Sequence, residues 1–92
     1  MNTYELVVIL TQKKSEEDKK IAVAKITDLI AGNGEVISVN DMGVKKLAYE
    51  INKESDAHYY LFNFVATPSY IAELERVLRI EDSVLKYMTI KK

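Results

Sequence analysis

His58-Tyr59-Tyr60-Leu61-Phe62-Asn63-Phe64-Val65-Ala66, followed at once by Thr67-Pro68, decides the fold. A short run dense in aromatic and β-branched residues predicts a strand. Thr67 offers a helix cap, and Pro68 suits the first helical position, where no amide hydrogen is needed. Ile71, Leu74, Val77 and Leu78 then recur at helical spacing and predict one buried stripe. Asp82-Ser83 ends that helix, and Val84 to Ile90 predicts a last strand before Lys91-Lys92. In this strand Leu85, Tyr87 and Thr89 compete evenly with Lys86, Met88 and Ile90 for the inward face.

Upstream, Tyr4 to Leu10 is apolar and β-branched and predicts a central strand. Ser15-Glu16-Glu17-Asp18 is a helix start, with a serine cap and acids in the first turn. Ala22, Ile26, Leu29 and Ile30, with Val23 beside them, form its apolar face, and Glu16 and Lys20 stand four apart as a supportive pair. Gly32-Asn33-Gly34 is expected to stop the helix with residues that tolerate positive φ. Glu35 to Asn52 is extended but interrupted. Asn40-Asp41-Met42-Gly43 is turn-like and fits a bulge, after which Leu47, Tyr49 and Ile51 alternate with Lys46, Ala48 and Glu50. Lys53 to Ala57 is a polar connection of hairpin length. The order is βαββαβ, an α+β fold with two helices on one face of a four-stranded antiparallel sheet.

Ninety-two residues, 48% hydrophobic and 29% charged, fit one soluble domain spanning 1–92. No cysteine is present, which excludes disulfides and thiolate metal sites and suits a reducing compartment such as the cytoplasm. The apolar run Leu6 to Leu10 is too short for a membrane span, and Glu5 stands where a signal peptide would be basic. Thirteen basic against fourteen acidic residues give a net charge of −1. That balance argues against autonomous, non-specific nucleic-acid binding.

Two helices cover only one sheet face. Tyr4, Leu6, Val8 and Leu10 share a face with Glu5 opposite, and Tyr60, Phe62 and Phe64 share one with Asn63 opposite. The uncovered face therefore carries Val7, Ile9, Tyr59, Leu61 and Val65. If the two strands are neighbours, this is an apolar patch of the kind that docks a partner, although monomers also tolerate scattered exposed apolar residues.

Chemistry finds little foothold. His58 is the single histidine and lacks the converging ligands of a metal site or the nucleophile of a catalytic dyad. It is expected at a strand end. Gly32-x-Gly34 lacks the rest of a dinucleotide fingerprint, and Thr11-Gln12-Lys13-Lys14 lacks the arginine of an acylphosphatase-type loop. Neither enzyme activity, cofactor, metal nor small-molecule substrate is expected. The third strand also lacks the basic residue and glycine that open the RNA-recognition motif. Lys45-Lys46, Lys53, Lys86, Lys91 and Lys92 give a neutral chain a basic edge. RNA contact and protection of a sheet edge against aggregation explain them equally well.

Three stretches together resemble the bacterial small-subunit ribosomal protein family numbered six. They are Tyr4-Glu5, Gly43-Val44-Lys45-Lys46-Leu47-Ala48-Tyr49-Glu50-Ile51, and Leu74 through Val84 with its Leu-Arg-Ile-x-Asp-x-Val pattern. The match spans essentially the whole chain. It implies a ferredoxin-like fold, a non-catalytic role, and binding to the central domain of small-subunit rRNA as a heterodimer with the small basic ribosomal protein numbered eighteen. A basic partner would offset the charge objection. The resemblance makes Lys45, Lys46, Arg79 and Lys86 RNA-facing candidates, joined by Lys53 and Lys91 on the basic edge. Val7, Ile9, Tyr49, Tyr59, Leu61 and Val65 are candidates for partner contact, and Tyr49, Tyr59 and Leu61 are equally candidates for RNA contact. Some members carry an acidic C-terminal tail, and nothing of that tail's role carries over to a chain that stops at Lys91-Lys92. A ligand-sensing regulatory domain of the same fold is the alternative.

Overall fold

The computed structural model describes residues 1–51 and 53–92. The order is β1 (Asn2–Leu10), α1 (Glu16–Asn33), β2 (Gly34–Ile51), β3 (Glu54–Ala66), α2 (Pro68–Ile80) and β4 (Val84–Lys91). The four strands form one antiparallel sheet ordered β2-β3-β1-β4. The expected βαββαβ topology is the one observed. Its strands run longer at the ends than their apolar cores suggest. β3 begins at Glu54, inside the stretch expected as a connection, because main-chain pairing continues where the side chains turn polar. Asn52, expected to end the extended stretch before it, lies outside the described residues.

Local chemistry sets both helix starts. Ser15 Oγ accepts the Asp18 amide at 3.1 Å, and Glu16, Glu17 and Asp18 occupy the positive end of the helix dipole. Pro68 opens α2 as expected, while Thr67 sits at the cap without a side-chain cap bond; its hydroxyl lies against Ser69 Oγ. The helices pack on one face. Ile26 and Ile30 of α1 and Leu74 and Leu78 of α2 cover Leu6, Val8, Phe62 and Phe64, and Ala22 of α1 is also buried. Full burial of each large side chain contributes roughly 1.5–3 kcal/mol.

The glycines at the end of α1 act differently from expectation. Gly32 lies inside the helix, and a Cβ there meets nothing. Gly34 opens β2 with an extended φ of −177°, so positive φ is not what it supplies. A Cβ at Gly34 would overlap the Val65 carbonyl oxygen, so glycine there permits close approach of β2 to β3. Positive φ occurs instead at Gly43 (78°) and Lys53 (66°). Gly43 follows a register shift between Asp41 and Gly43, which is the expected bulge, and its amide donates to Asp41 Oδ1 at 2.8 Å.

A buried polar chain ties α1 to β3 and β2. Lys19 is only 2% exposed. Its ammonium donates to Gln12 Oε1 at 2.7 Å, pairs with Glu16 at 2.8 Å and lies 3.3 Å from His58 Nδ1. An ammonium only donates, so Nδ1 accepts and Nε2–H donates to Asp41 Oδ1 at 2.6 Å. His58 therefore links the two, accepting at Nδ1 and donating at Nε2, and it stacks on Tyr60 with ring centroids 4.7 Å apart. Lys19, three residues on, closes the pair with Glu16, in place of the Lys20 expected from spacing.

Two experiments test this account. Gly32→Ala should raise the urea midpoint, since alanine is favoured over glycine in a helix by roughly 0.5–1 kcal/mol. Gly34→Ala should lower it, by about 1–3 kcal/mol, because backbone must move. Matching small effects would mean that Gly34 is not pressed against β3.

The second concerns acid. The hydrogen bond from His58, helped by the Gly43 amide, holds the Asp41 carboxyl below its ordinary 3.8. Lys19 holds Glu16 below 4.5. Carboxyls depressed in the folded chain stabilise it above their unfolded values and lose that contribution as pH falls through the folded ones. Both side chains are largely solvent-facing, so the effect is modest. Asp41→Asn with Glu16→Gln should flatten the decline of the urea midpoint between about pH 6 and about pH 3. An unchanged decline would assign the acid sensitivity to other carboxyls.

Candidate RNA- and protein-binding surface

The sheet face opposite the helices is built from outward residues fixed by register. Val7 of β1 stands between Leu61 of β3 and Met88 of β4, Glu5 between Asn63 and Ile90, and Ile9 between Tyr59 and Lys86. Leu61, Val7 and Met88 thus make an apolar strip across three strands. Val65 lies toward the opposite end, paired with Thr3. Register also resolves β4. Tyr87 pairs with Val8 and Thr89 with Leu6, facing the helices, while Lys86, Met88 and Ile90 face outward. A shift at Ile9/Leu10 breaks the alternation and turns Leu85 toward Ile9. Met88 (50% exposed) and Ile90 (45%) therefore join the surface, which alternation alone left undecided.

The end of β2 covers part of this face. Between the pairs Lys46–Asp56 and Ile51–Glu54, β2 advances five residues while β3 advances two. The surplus chain folds over the sheet. Leu47 packs on Ile9 and Ala57, leaving Ile9, expected as an open partner-contact residue, only 8% exposed. Tyr49 reaches the far edge strand, where its hydroxyl accepts from Lys86 Nζ at 3.1 Å. A half-open cleft of about 200 Å³ remains, lined by Val7, Tyr49, Ile51, Tyr59 and Met88. Lys86 Nζ lies 5.6 Å from the Tyr49 ring centroid and Lys45 Nζ 6.0 Å from that of Tyr59, both within cation–π reach.

The structure brings some basic candidates together and separates others. Lys45, Lys46 and Lys86 stand at the sheet end where β1 finishes and β4 begins. Arg79, near the end of α2, shares a groove with Lys86. Lys53 follows the end of β2 and borders a shallow depression with Gln12 and Lys13. Lys91 pairs with Tyr4 at the opposite end of β4, five residues from Lys86, or about 16 Å along the strand. It does not join the cluster. Neighbouring Lys92 is held by Asn63 Oδ1 at 3.1 Å and Glu5 at 3.5 Å.

One surface escaped sequence reading. β2 is an edge strand, and Ile37, Val39, Met42 and Val44 along it are exposed. Gly34 to Val44 contains Glu35 and Asp41 and no lysine or arginine, so this edge lacks the basic residues that commonly block strand addition. Its apolar residues were visible; its position at the edge depended on strand order. Among the described residues, no group of three His, Cys, Asp or Glu side chains is placed to hold a metal, and no helix is long and apolar enough to cross a membrane.

Comparison with known proteins matches this architecture. The sequence fits the family described as Ribosomal protein S6 over residues 3–91. It is 41% identical to small ribosomal subunit protein bS6 of Exiguobacterium sp. (strain ATCC BAA-1283 / AT1b), covering 99% of this chain and 97% of that one. Identity to the protein of that name from Geobacter metallireducens is 44%, over 96% of this chain and 75% of the relative. The crystal structure of 30S ribosomal protein S6 from Thermotoga maritima superposes with a TM-score of 0.94 at 26% identity, over 99% of this chain and 87% of that one. The C-terminal domain of the MgtC protein from Mycobacterium tuberculosis, at TM-score 0.60 and 13% identity, shares the fold alone. With its whole βαββαβ length matched in sequence and in structure, this chain belongs to the ribosomal protein S6 family, the non-enzymatic S6 component of the small ribosomal subunit.

Proposed function

We propose that this chain, as one domain, binds the central domain of small-subunit rRNA in the cytoplasm as a heterodimer with the basic ribosomal protein numbered eighteen. The supporting observation is the segregation of its surface. Apolar residues accompanied by acids lie on the β2 edge and on the open face, while Lys45, Lys46 and Lys86 gather at one sheet end.

An apolar edge bearing Glu35 and Asp41 suits a basic protein partner. On the open face Leu61 and Ile90, which do not line the cleft, extend that contact onto the sheet. The lysine end is left for phosphates, which position a protein on RNA without reading its sequence. Arg79, sharing the groove of Lys86, widens this basic surface. With a net charge of −1, the chain alone has little long-range attraction for RNA, so the basic partner completes the electrostatic footprint.

Equilibrium binding to a central-domain rRNA fragment, with and without the basic partner at near-physiological salt, tests this. Tight association only with both proteins present is expected. No association in either condition, with a folded partner, would reject the proposal.

Within the complex, Lys45→Ala with Lys46→Ala should weaken RNA binding and reduce the slope of log affinity against log salt by about one per lost phosphate contact. Unchanged affinity and slope would remove this pair from the RNA surface.

A further inference from the structure

The cleft on the open face has a feature that partner docking does not use. Two tyrosine rings line it, and each has a lysine ammonium beside it. We infer that this cleft takes an unpaired RNA base stacked on Tyr49 or Tyr59, with Lys45 and Lys86 on the flanking phosphates. The inference rests on the RNA-binding role proposed above.

Chemistry favours a base over a protein side chain. An apolar side chain entering the cleft would bring a protein surface down over Lys45 and Lys86, whose partners here are tyrosines, and burying a charge without a counter-ion is strongly unfavourable. A nucleotide removes that difficulty, since its base takes the aromatic wall and its phosphates neutralise the rim. Stacking on aromatic rings beside a positive groove is how proteins hold single-stranded RNA without requiring a particular sequence.

The chain's own packing does not account for Tyr49. Leu47 already seals Ile9 and Ala57, whereas Tyr49 remains 64% exposed. Its hydroxyl accepts from Lys86 across the sheet, which favours one position of the ring. A large exposed ring biased to one position spends less entropy on ordering when a ligand arrives. Tyr59 is anchored differently, in the middle of the sheet opposite Ile9.

The test uses the full chain with its basic partner and the central-domain rRNA fragment. Tyr49→Leu keeps apolar bulk and loses the aromatic face. It should weaken RNA binding about tenfold and leave the salt slope unchanged. Tyr49→Phe should retain most of the affinity. Lys86→Gln should lower the slope by about one. Ultraviolet irradiation of the wild-type complex gives an independent readout, with cross-linked peptides expected to carry Tyr49 or Tyr59.

Wild-type affinity in Tyr49→Leu, or cross-links confined to other segments, would overturn the base site while leaving the RNA-binding role intact. Weaker binding of Tyr49→Leu to the partner protein without RNA would overturn it too and make the cleft a protein seat. Failure of the wild-type proteins to bind the fragment would instead reject the RNA-binding role itself.

Discussion

The antiparallel pairing of β1 with β3 places Leu6 opposite Phe62 and Val8 opposite Tyr60, on the face that both helices cover. Strand geometry then sends Val7, Leu61, Ile9 and Tyr59 to the other side, because successive side chains alternate. A four-stranded sheet with two helices has no third layer to hide that second face. Each functional feature follows from how the chain handles it.

Part of the answer is internal. The surplus residues of β2 fold back over the sheet, drop Leu47 onto Ile9 and Ala57, and carry Tyr49 to Lys86 on the far edge. The covering is incomplete, so a cleft and an apolar strip stay open. The same strand leaves its outer edge bare from Gly34 to Val44. The protein partner proposed above would cover what stays open.

Polar groups divide along a similar line. Beneath α1, buried Lys19 and His58 and the solvent-facing Asp41 form a satisfied chain that ties α1 to β3 and the β2 bulge, and it needs no ligand to explain it. Outside, the lysines at one sheet end lie beside tyrosines or in grooves, where an approaching anion can meet them. His58 and Lys45 sit only one register step apart, opposite Val44 and Ala57 respectively, yet serve different ends because they face opposite sides of the sheet.

The sequence by itself determined the element order, both helix starts, the Asp41–Gly43 bulge and the inward faces of β1 and β3, since each depends on spacing within one segment. It also supplied the family, through the stretch Gly43 to Ile51 and the pattern running into Val84. Only the tertiary structure decided the outward face of β4, the edge position of β2, the burial of Lys19 and the covering of Ile9 by Leu47. Those outcomes depend on register, strand order and a bulge of several residues, which join positions far apart in the chain. Local periodicity carries no information about which distant backbone lies alongside.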